Sequence, residues 1–394
     1  MTAAAVFSGP TQSKKNTMQN WILPEHIEDI LPPDAHRIES MRRQVLDLFR
    51  GHGYDLVIPP LIEYVESLRS GTGSDMDLRT FKLVDQMSGR LLGLRADITP
   101  QVARIDAQLL NRQGVARLCY AGSVLHTLPL GLTRTREPLQ IGADIYGHPG
   151  IESDIEIQKL MLDALSLLGV GKLHFDLGHV GVFRSIARVS GMDAGLESEL
   201  FQVLQAKDLS GIAQLSSHLD AKVGKALCLL PELYGGMEVL QRARETLAGF
   251  PGVLEALAEL EAVAGELSGS ISDLSFDLAE LRGYHYHSGM VFAVYAENCP
   301  NAVALGGRYD EVGRAFGRAR PATGFSMDLR EIAQILPPSQ DEDCIFAPHS
   351  KDPALLEEIA RLRGQGKRVA VELPGHEPEA GRRLAFRDGK WIAE

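Results

Sequence analysis

The sequence predicts an α+β protein in which helices pack against a mainly antiparallel sheet. Segments with strand character cluster along the chain without the regular strand–helix alternation that builds a parallel sheet. One long stretch, residues 183–267, is rich in leucine and alanine and indicates helices. Of the 394 residues, 44% are hydrophobic and 23% are charged, which is typical of a globular protein with ample length to bury a core.

The first third of the chain is predicted to hold a lead segment, one helix and several strands. Residues 1–20 are small, polar and unpatterned, so we interpret them as a disordered lead or a tag. A helix is predicted where apolar residues recur at helical spacing, at Ile38, Met41, Val45 and Leu48. Short strands are then predicted over residues 54–60, 90–99, 117–126 and 138–146.

The middle of the chain is predicted to be mostly helical. Ser153 and Glu156 have the spacing of a capping box, which predicts a helix to about Leu168. Apolar residues then alternate with polar ones over 173–177, which predicts a strand. The stretch 183–267 follows with no obvious strand inside it, so it indicates a helical insertion.

The last third returns to strands and ends in a short α/β segment. Strands are predicted over 274–281 and 290–296. After two prolines at 337 and 338, the pattern predicts a strand at 344–348, a helix at 353–364 and a strand at 367–373. We therefore expect a core over residues 21–336 and a small module over 340–394.

Charge and cysteine usage narrow the class of function. The net charge of −12 disfavours nucleic-acid binding, because phosphate contacts need a concentrated basic surface. The four cysteines have no CxxC or zinc-like spacing, which fits a reducing cytoplasm. No apolar run approaches the roughly 18–20 residues that span a bilayer, so no membrane association is expected. His285 and His287 lack a convincing third ligand, so no metal is expected.

Two motifs connect the chain to a known family. The segments 281–289 (Leu-Arg-Gly-Tyr-His-Tyr-His-Ser-Gly) and 305–310 (Leu-Gly-Gly-Arg-Tyr-Asp) resemble the amino-acid pocket of histidyl-tRNA synthetases. From residue 21 to about 336 the chain resembles the class II synthetase core, which implies an antiparallel sheet flanked by helices. The resemblance is greatest to the family of ATP phosphoribosyltransferase regulatory subunits, the synthetase-like paralogues of histidine biosynthesis.

The resemblance implies a histidine-binding site. A zwitterion with an imidazole needs a carboxylate for its ammonium group, a guanidinium for its carboxylate and an acceptor for its ring N–H. Carried over from the family motifs, Asp97 would meet the ammonium group, Arg282 the carboxylate and Asp144 the ring. The full implied set is Asp97, Thr99, Gln140, Asp144, Arg282, Tyr286 and His287. Asp97 and Thr99 are two residues apart, which would put both side chains on one face of a strand.

The nucleotide motifs of the family are altered. Where synthetases hold ATP with arginine, glycine and arginine, this chain has His126, Asp328 and Glu331. A carboxylate facing a triphosphate is repelled by about 1–4 kcal/mol at a distance of about 4 Å. We therefore expect no ATP activation, no cofactor and no catalytic residue in this chain. Arg134 and Arg136 match the family's loop arginines, and they could meet an anionic ligand or solvate an exposed loop.

The resemblance implies a non-catalytic regulatory subunit. It would assemble with the short-form ATP phosphoribosyltransferase catalytic subunit, take L-histidine as a feedback effector and self-associate as a dimer. The dimer surface would lie around the first helix and the 54–60 strand. Two alternatives stay open at this point: a degenerate histidyl-tRNA synthetase, and a stand-alone histidine-sensing or RNA-binding module.

Overall fold

The structure is a computed structural model that describes residues 22–69, 78–129, 135–271, 273–281, 283–284, 286–297, 299–337, 344–376 and 381–394. The described chain divides into two compact units. The first contains residues up to 31 and 38–336, and the second contains residues 32–37 and 337–394. Arg134, Arg282 and His285 lie outside the described residues, as does the lead segment 1–20.

The strands are numbered in chain order. They are β1 (Asp55–Leu56), β2 (Ile62–Tyr64), β3 (Lys82–Val84), β4 (Leu91–Leu94), β5 (Ala116–Ser123), β6 (Leu139–Tyr146), β7 (Leu173–His179), β8 (Tyr234–Gly235), β9 (Asp273–Asp277), β10 (Met290–Ala296), β11 (Ala302–Arg308), β12 (Ala322–Asp328), β13 (Ile345–Ala347), β14 (Val369–Val371), β15 (Arg382–Arg387) and β16 (Lys390–Ala393).

The α-helices are numbered in the same way. They are α1 (Asp34–Gly51), α2 (Val65–Arg69), α3 (Thr99–Arg104), α4 (Ile151–Leu167), α5 (Val180–Ser190), α6 (Ala194–Gln205), α7 (Leu209–Ser216), α8 (Ala221–Leu229), α9 (Met237–Thr246), α10 (Pro251–Leu267), α11 (Leu329–Ile335) and α12 (Pro353–Gly364). A π-helical turn continues α3 over Ile105–Leu110. No helix in the described part of the chain is long and apolar enough to cross a membrane.

The first unit is organised by a nine-stranded sheet in the order β1-β5-β6-β12-β11-β10-β7-β9-β8. Its neighbours are antiparallel except for the pairs β1–β5 and β7–β9, which are parallel. Helices cover the sheet, with the buried residues Ile38, Met41, Val45 and Phe49 of α1 among those that pack on it. The predicted α+β class with a mainly antiparallel sheet is confirmed.

Several predicted strands are shorter in the structure, and the two over 54–60 and 90–99 lose the most residues. The strand expected over 54–60 is only β1, because Pro59 and Pro60 cannot extend a hydrogen-bonded ladder. The strand expected over 90–99 ends at Leu94. Thr99 instead begins α3, where Pro100 occupies a position that needs no backbone N–H donor.

The capping box predicted at Ser153 and Glu156 is wrong. The N-cap of helix α4 is Gly150, three residues before the predicted cap Ser153, and the helix has no side-chain cap. The Ser153 hydroxyl donates to the Gly150 carbonyl at 2.8 Å. Glu156 instead forms an ion pair with Arg117 of β5, at 2.6 Å between Nε and Oε1. Glu156 therefore forms a tertiary ion pair and not the predicted local capping contact.

The stretch 183–267 is largely helical, over α5 to α10. It contains one strand that the sequence did not reveal, because β8 is only two residues long and pairs with β9. The leucines of these helices, such as Leu200, Leu227 and Leu257, are fully buried in the same core as Phe175 of the sheet. The leucine-rich composition of residues 183–267 is therefore explained by the packing of these helices in the core.

The second unit is a four-stranded sheet in the order β14-β13-β15-β16, with α12 packed against it. The hairpin β15–β16 was not predicted. Its turn has Asp388 at φ 47° and Gly389 at φ 79°, the two positive values that a type I′ turn requires. The Asp-Gly pair between alternating apolar residues is a hairpin signal, so the sequence contained the information.

Candidate ligand-binding site

A cavity of about 460 Å³ lies against the central sheet of the first unit. Its floor is formed by β10, β11 and β12, and one wall is formed by α6 through Phe201 and Gln202. The turn that follows β9 contributes Gly283, Tyr284, Tyr286 and His287. A volume of this size accommodates an amino acid or a somewhat larger small molecule.

Glycines on the floor strands leave room for polar groups beneath the cavity. A Cβ on Gly324 would lie 2.0 Å from the Asp144 carboxyl and 2.5 Å from the Tyr309 hydroxyl. A Cβ on Gly306 would lie 2.3 Å from the Phe292 ring. Cross-strand packing alone therefore requires glycine at these positions, and the same small residues form the floor of the cavity.

Asp144 lies near the centre of β6 and is almost completely buried, at 1% exposure. The Tyr309 hydroxyl donates to Asp144 Oδ1 at 2.5 Å, and the Tyr146 hydroxyl donates to Oδ2 at 3.3 Å. Burial raises the pKa of Asp144 to about 8, even though both tyrosine hydrogen bonds lower it. At neutral pH the buried carboxyl therefore favours the protonated form, which can both donate and accept a hydrogen bond.

Asp97, Thr99 and Gln140 meet in a turn before α3. Asp97 Oδ1 accepts from the Thr99 amide at 3.0 Å and from Gln140 Nε2 at 2.8 Å. Gln140 Oε1 in turn accepts from the Ile98 amide at 2.9 Å. The prediction that Asp97 and Thr99 share one face of a strand is wrong, because a side-chain-to-backbone turn brings them together instead. Gln140 holds Asp97 in place and is not among the residues that line the cavity.

Tyr286 and His287 both line the cavity. Their rings lie edge to face, with centroids 5.3 Å apart, and Tyr286 also packs against Tyr309 at 5.0 Å. The buried Tyr286 hydroxyl has no hydrogen-bond partner among the described residues. His287 Nδ1 lies 3.2 Å from the Arg308 carbonyl, and burial lowers the pKa of His287 to about 4. The imidazole is therefore neutral at physiological pH.

Tyr284 is a cavity residue that the sequence did not single out. Its ring stacks on Phe201 of α6, with centroids 5.3 Å apart, and the Arg184 guanidinium lies 4.8 Å from the ring centroid. The Tyr284 hydroxyl donates to Glu197, and Arg184 donates to the Tyr284 carbonyl at 2.8 Å. One side chain therefore ties the turn after β9 to helices α5 and α6.

Tyr309 was also missed, although it lies inside the 305–310 motif. Its hydroxyl hydrogen bonds to Asp144, and this pairing follows from the sheet register, in which Gly324 is opposite Asp144. The motif was a sufficient signal to include Tyr309 in the site. The partner of its hydroxyl could not be read from the sequence.

The positions where the synthetase motifs differ are engaged in contacts within the chain. His126 is buried, with Nε2 2.9 Å from the Ala96 carbonyl. Asp328 caps α11 by accepting from the Arg330 amide at 3.0 Å, and Glu331 accepts from Asn301 at 3.0 Å. None of His126, Asp328 and Glu331 lines the cavity.

Arg136 also makes contacts within the chain. Its Nε donates to the His126 carbonyl at 3.1 Å, and its Nη1 donates to the Glu25 carbonyl at 3.3 Å. Its guanidinium lies 5.0 Å from the ring centroid of Phe81. As for metals, the described residues contain no group of three or more His, Cys, Asp or Glu side chains arranged to hold an ion.

Comparison with known proteins first defines the class of protein to which this fold belongs. A family model described as histidyl-tRNA synthetase matches residues 26–332. The solved histidyl-tRNA synthetase of Nostoc sp. PCC 7120 superposes with a TM-score of 0.73 at 16% identity, over 91% of this chain and 87% of that one, which is a likeness of fold alone. The fold is thus that of the histidyl-tRNA synthetase-like class.

Sequence relatives and the C-terminal unit define the family. Residues 342–394 match a model described as the ATP phosphoribosyltransferase subunit HisZ C-terminal domain. ATP phosphoribosyltransferase regulatory subunits of Nitrosospira multiformis and Nitrosomonas europaea are 59% and 54% identical, each over 95% of this chain and 98% of the relative. A structure described as an ATP phosphoribosyltransferase regulatory subunit/histidyl-tRNA synthetase from Bacillus halodurans superposes with a TM-score of 0.80 at 26% identity, over 94% of this chain and 96% of that one. The chain belongs to the family of ATP phosphoribosyltransferase regulatory subunits.

Proposed function

We propose that this chain is the regulatory subunit of an ATP phosphoribosyltransferase and serves the first step of L-histidine biosynthesis. It binds L-histidine in the cavity and has no catalytic activity of its own. The observation that supports the proposal is that Asp97, Asp144, Tyr286 and His287 line one cavity, while His126, Asp328 and Glu331 are engaged elsewhere in the chain. The names of the relatives support the same function.

The cavity supplies the groups that histidine requires. Asp97 lines it with a carboxylate that Gln140 orients, which suits an ammonium group. Asp144 offers a buried carboxyl to the imidazole. A site of this kind rejects ligands that lack the matching groups, because its own buried polar atoms would remain unpaired. The motif match implies that Arg282 binds the carboxylate of the ligand.

The lack of ATP activation is supported by the contacts of the altered motifs. Binding a triphosphate needs cationic side chains directed at the phosphates. In this chain a buried imidazole and two carboxylates occupy those motif positions. The family match over residues 342–394 is to the regulatory subunit's domain, so neither the degenerate synthetase nor the stand-alone RNA-binding module is favoured.

The regulatory action needs partners. We assign the catalysis to a short-form catalytic subunit, in the cytoplasm, with histidine shifting the complex between active and inhibited states. A coupling free energy of about 1–3 kcal/mol would give roughly 5–150-fold modulation. The proposed dimer contact around α1 and β1 includes exposed apolar side chains, Leu56 at 50% and Ile58 at 81% exposure. Exposed apolar groups of this kind suit an interface.

The test is calorimetry of the chain with L-histidine and, separately, with ATP and magnesium. Histidine binding without ATP binding is the expected result. Asp97→Asn should weaken histidine binding by roughly ten-fold or more, because it removes a charge-assisted contact. Asp163→Asn, at an exposed position of α4, is the matched control and should have no effect.

Other outcomes contradict the proposal in distinct ways. Binding of both ligands, followed by adenylate formation, would favour the alternative that the chain is a histidyl-tRNA synthetase. If neither ligand binds, the titration is repeated on the complex with the catalytic subunit. Absence of histidine binding there overturns the effector role, and failure to form that complex overturns the regulatory function.

A further inference from the structure

A polar cluster joins β7 to β9 on the face of the sheet that carries the cavity. In the parallel register of these strands His174 is opposite Asp273, and Asp176 is opposite Ser275. Side chains two residues apart on a strand share a face, so all four point to the same side of the sheet. Asp176 is also opposite Ala293 of β10, which lines the cavity. The cluster therefore lies beside the cavity floor, one strand farther along the sheet.

The two ring nitrogens of His174 each face a carboxylate. Nδ1 lies 2.8 Å from Asp273 Oδ2, and Nε2 lies 2.9 Å from Asp176 Oδ1. Nε2 is also 3.0 Å from the Ser275 hydroxyl, which itself donates to Asp176. An ionised carboxylate only accepts hydrogen bonds, so each nitrogen must carry a proton to bond to its own carboxylate. The contacts therefore select the positively charged imidazolium.

Other titratable groups lie on the segments around the ring. The Tyr295 ring of β10 is across from His174, with ring centroids 6.3 Å apart. Lys172, just before β7, pairs with Glu297 at 2.9 Å, and Lys207 pairs with Asp277 of β9 at 2.8 Å. No second cation among the described residues pairs with either carboxylate of the cluster. Loss of the His174 proton therefore leaves two carboxylates side by side without a counter-charge.

The charge of this ring changes with pH. Partial burial lowers the pKa of His174, but the hydrogen bonds and charges of Asp273 and Asp176 outweigh burial and raise it above its ordinary value. A group whose pKa is raised on folding contributes stability below its unfolded pKa, and the contribution is lost as the pH rises through the folded pKa. The side chain is 30% exposed, so it can exchange its proton with solvent. The cation that joins the strands is therefore present at mildly acidic pH and lost towards alkaline pH.

Strand β9 connects the cluster to the cavity wall. Its neighbour on one side is β8, which is only two residues long, so β7 supplies most of the pairing that holds β9. After Asp277 the chain turns sharply, with the Ala279 amide donating to the Asp277 carboxylate at 2.9 Å. Glu280, Gly283 and Tyr284 then line the cavity. A change in the contact between β9 and β7 therefore acts on the residues of this turn.

We propose that His174, Asp176 and Asp273 form a proton-linked latch that holds β9 against β7 and keeps the turn after β9 in the position that binds ligand. Loss of the His174 proton opens the latch and weakens binding in the cavity. The inference rests on the proposed function and deepens it, because it names a regulation of the same site. Linkage is reciprocal, so ligand binding in the cavity also favours the protonated ring.

Two substitutions in the full chain fix the latch in opposite states. His174→Arg keeps a cation at every pH, because a guanidinium is not deprotonated in proteins, and His174→Asn keeps a polar group without charge. Calorimetry measures the affinity for L-histidine at about pH 6 and about pH 8, the range in which histidine changes charge. Because the ligand's own titration is common to all variants, the ratio of the two Kd values is compared.

The wild-type chain should lose more affinity at the higher pH than either variant. The excess should be about five-fold or more, the lower end of ordinary couplings between sites. His174→Arg should bind tightly at both pH values, and His174→Asn should bind weakly at both. His218→Asn, which removes an exposed imidazole, is the matched control and should keep the wild-type ratio.

A measurement without ligand tests the latch separately. Amide hydrogen exchange over residues 273–281 is compared between His174→Arg and His174→Asn at one pH, so that the intrinsic exchange rates are equal. Exchange should be faster in His174→Asn, because β9 is held less tightly. Asp273→Asn changes a carboxylate that is 68% exposed and removes one charge of the latch. Its exchange should lie between those of the two His174 variants.

The outcomes separate this inference from the proposed function. Equal exchange in the two His174 variants, or a wild-type Kd ratio equal to theirs, overturns the latch and leaves the effector function standing. If a His174 variant does not fold, Asp273→Asn decides, and a wild-type Kd ratio in that variant overturns the latch. Absence of histidine binding by both the chain and its complex overturns the proposed function, and the exchange comparison then decides the latch by itself.

Discussion

The Tyr309 hydroxyl reaches across the sheet to Asp144 and donates a hydrogen bond of 2.5 Å to its carboxyl. The contact is possible because Gly324 lies opposite Asp144 in the register of β6 and β12 and has no side chain between the two. The polar pair beneath the cavity is therefore assembled by the strands themselves.

Asp144 should make the stability of the chain pH-dependent. Because burial raises its pKa to about 8, the folded chain retains a proton that the unfolded chain releases above about pH 4. The free energy of unfolding should therefore fall as pH rises between these values, by up to about 1.4 kcal/mol per pH unit, and level off above about pH 8. Chemical denaturation of the wild type and of Asp144→Asn at several pH values between about 4 and about 8 measures this pH dependence. Parallel pH profiles for the two proteins would contradict the assignment.

Removal of the Tyr309 hydroxyl should destabilise the site. Tyr309→Phe leaves the buried Asp144 carboxyl without its shortest hydrogen bond, which is expected to cost about 1–3 kcal/mol. Urea denaturation measures the change. Tyr234→Phe is the control, because Tyr234 is half exposed and should change stability little. Equal effects of the two substitutions would show that the Asp144 contact contributes nothing.

Tyr284 and Glu197 should be energetically coupled. The Tyr284 hydroxyl donates to the Glu197 carboxylate, and bonds to a charged acceptor are stronger than neutral ones. A double-mutant cycle with Tyr284→Phe and Glu197→Gln should give an interaction energy of about 1–2 kcal/mol. Additive effects would mean that the hydroxyl contact adds nothing to the ring packing on Phe201 and the contacts of Arg184 with Tyr284.

Restoring an arginine at position 126 should not restore ATP binding. His126 is buried against the Ala96 carbonyl, so a larger and permanently charged guanidinium should destabilise the chain by about 1–3 kcal/mol. Asp328 and Glu331 would still be carboxylates in the altered motif. Calorimetry with ATP and magnesium on His126→Arg should therefore detect no binding. Leu128→Arg, at an exposed position, is the control for the added charge. Recovered ATP binding would revive the synthetase hypothesis.

Local patterns in the sequence were sufficient for most helices and for the strand-rich character of the core. Helix α1 followed from apolar spacing, and α12 was predicted over its full length. The predictions failed where a tertiary contact overrode a local pattern. The Ser153–Glu156 capping box is the clearest case, since Arg117 of a distant strand pairs with Glu156. The hairpin at Asp388-Gly389 was a missed turn signal that the sequence did contain.

The sequence by itself determined the residue types of the candidate site, because motif spacing places Asp97, Asp144, Tyr286 and His287 in one family pattern. Only the tertiary structure decided how they are used. Gln140 orients Asp97, Tyr309 pairs with Asp144, and the Arg308 carbonyl fixes the tautomer of His287. The physical reason is that hydrogen bonds and burial depend on atoms far apart in the chain, which come together only through strand register and packing.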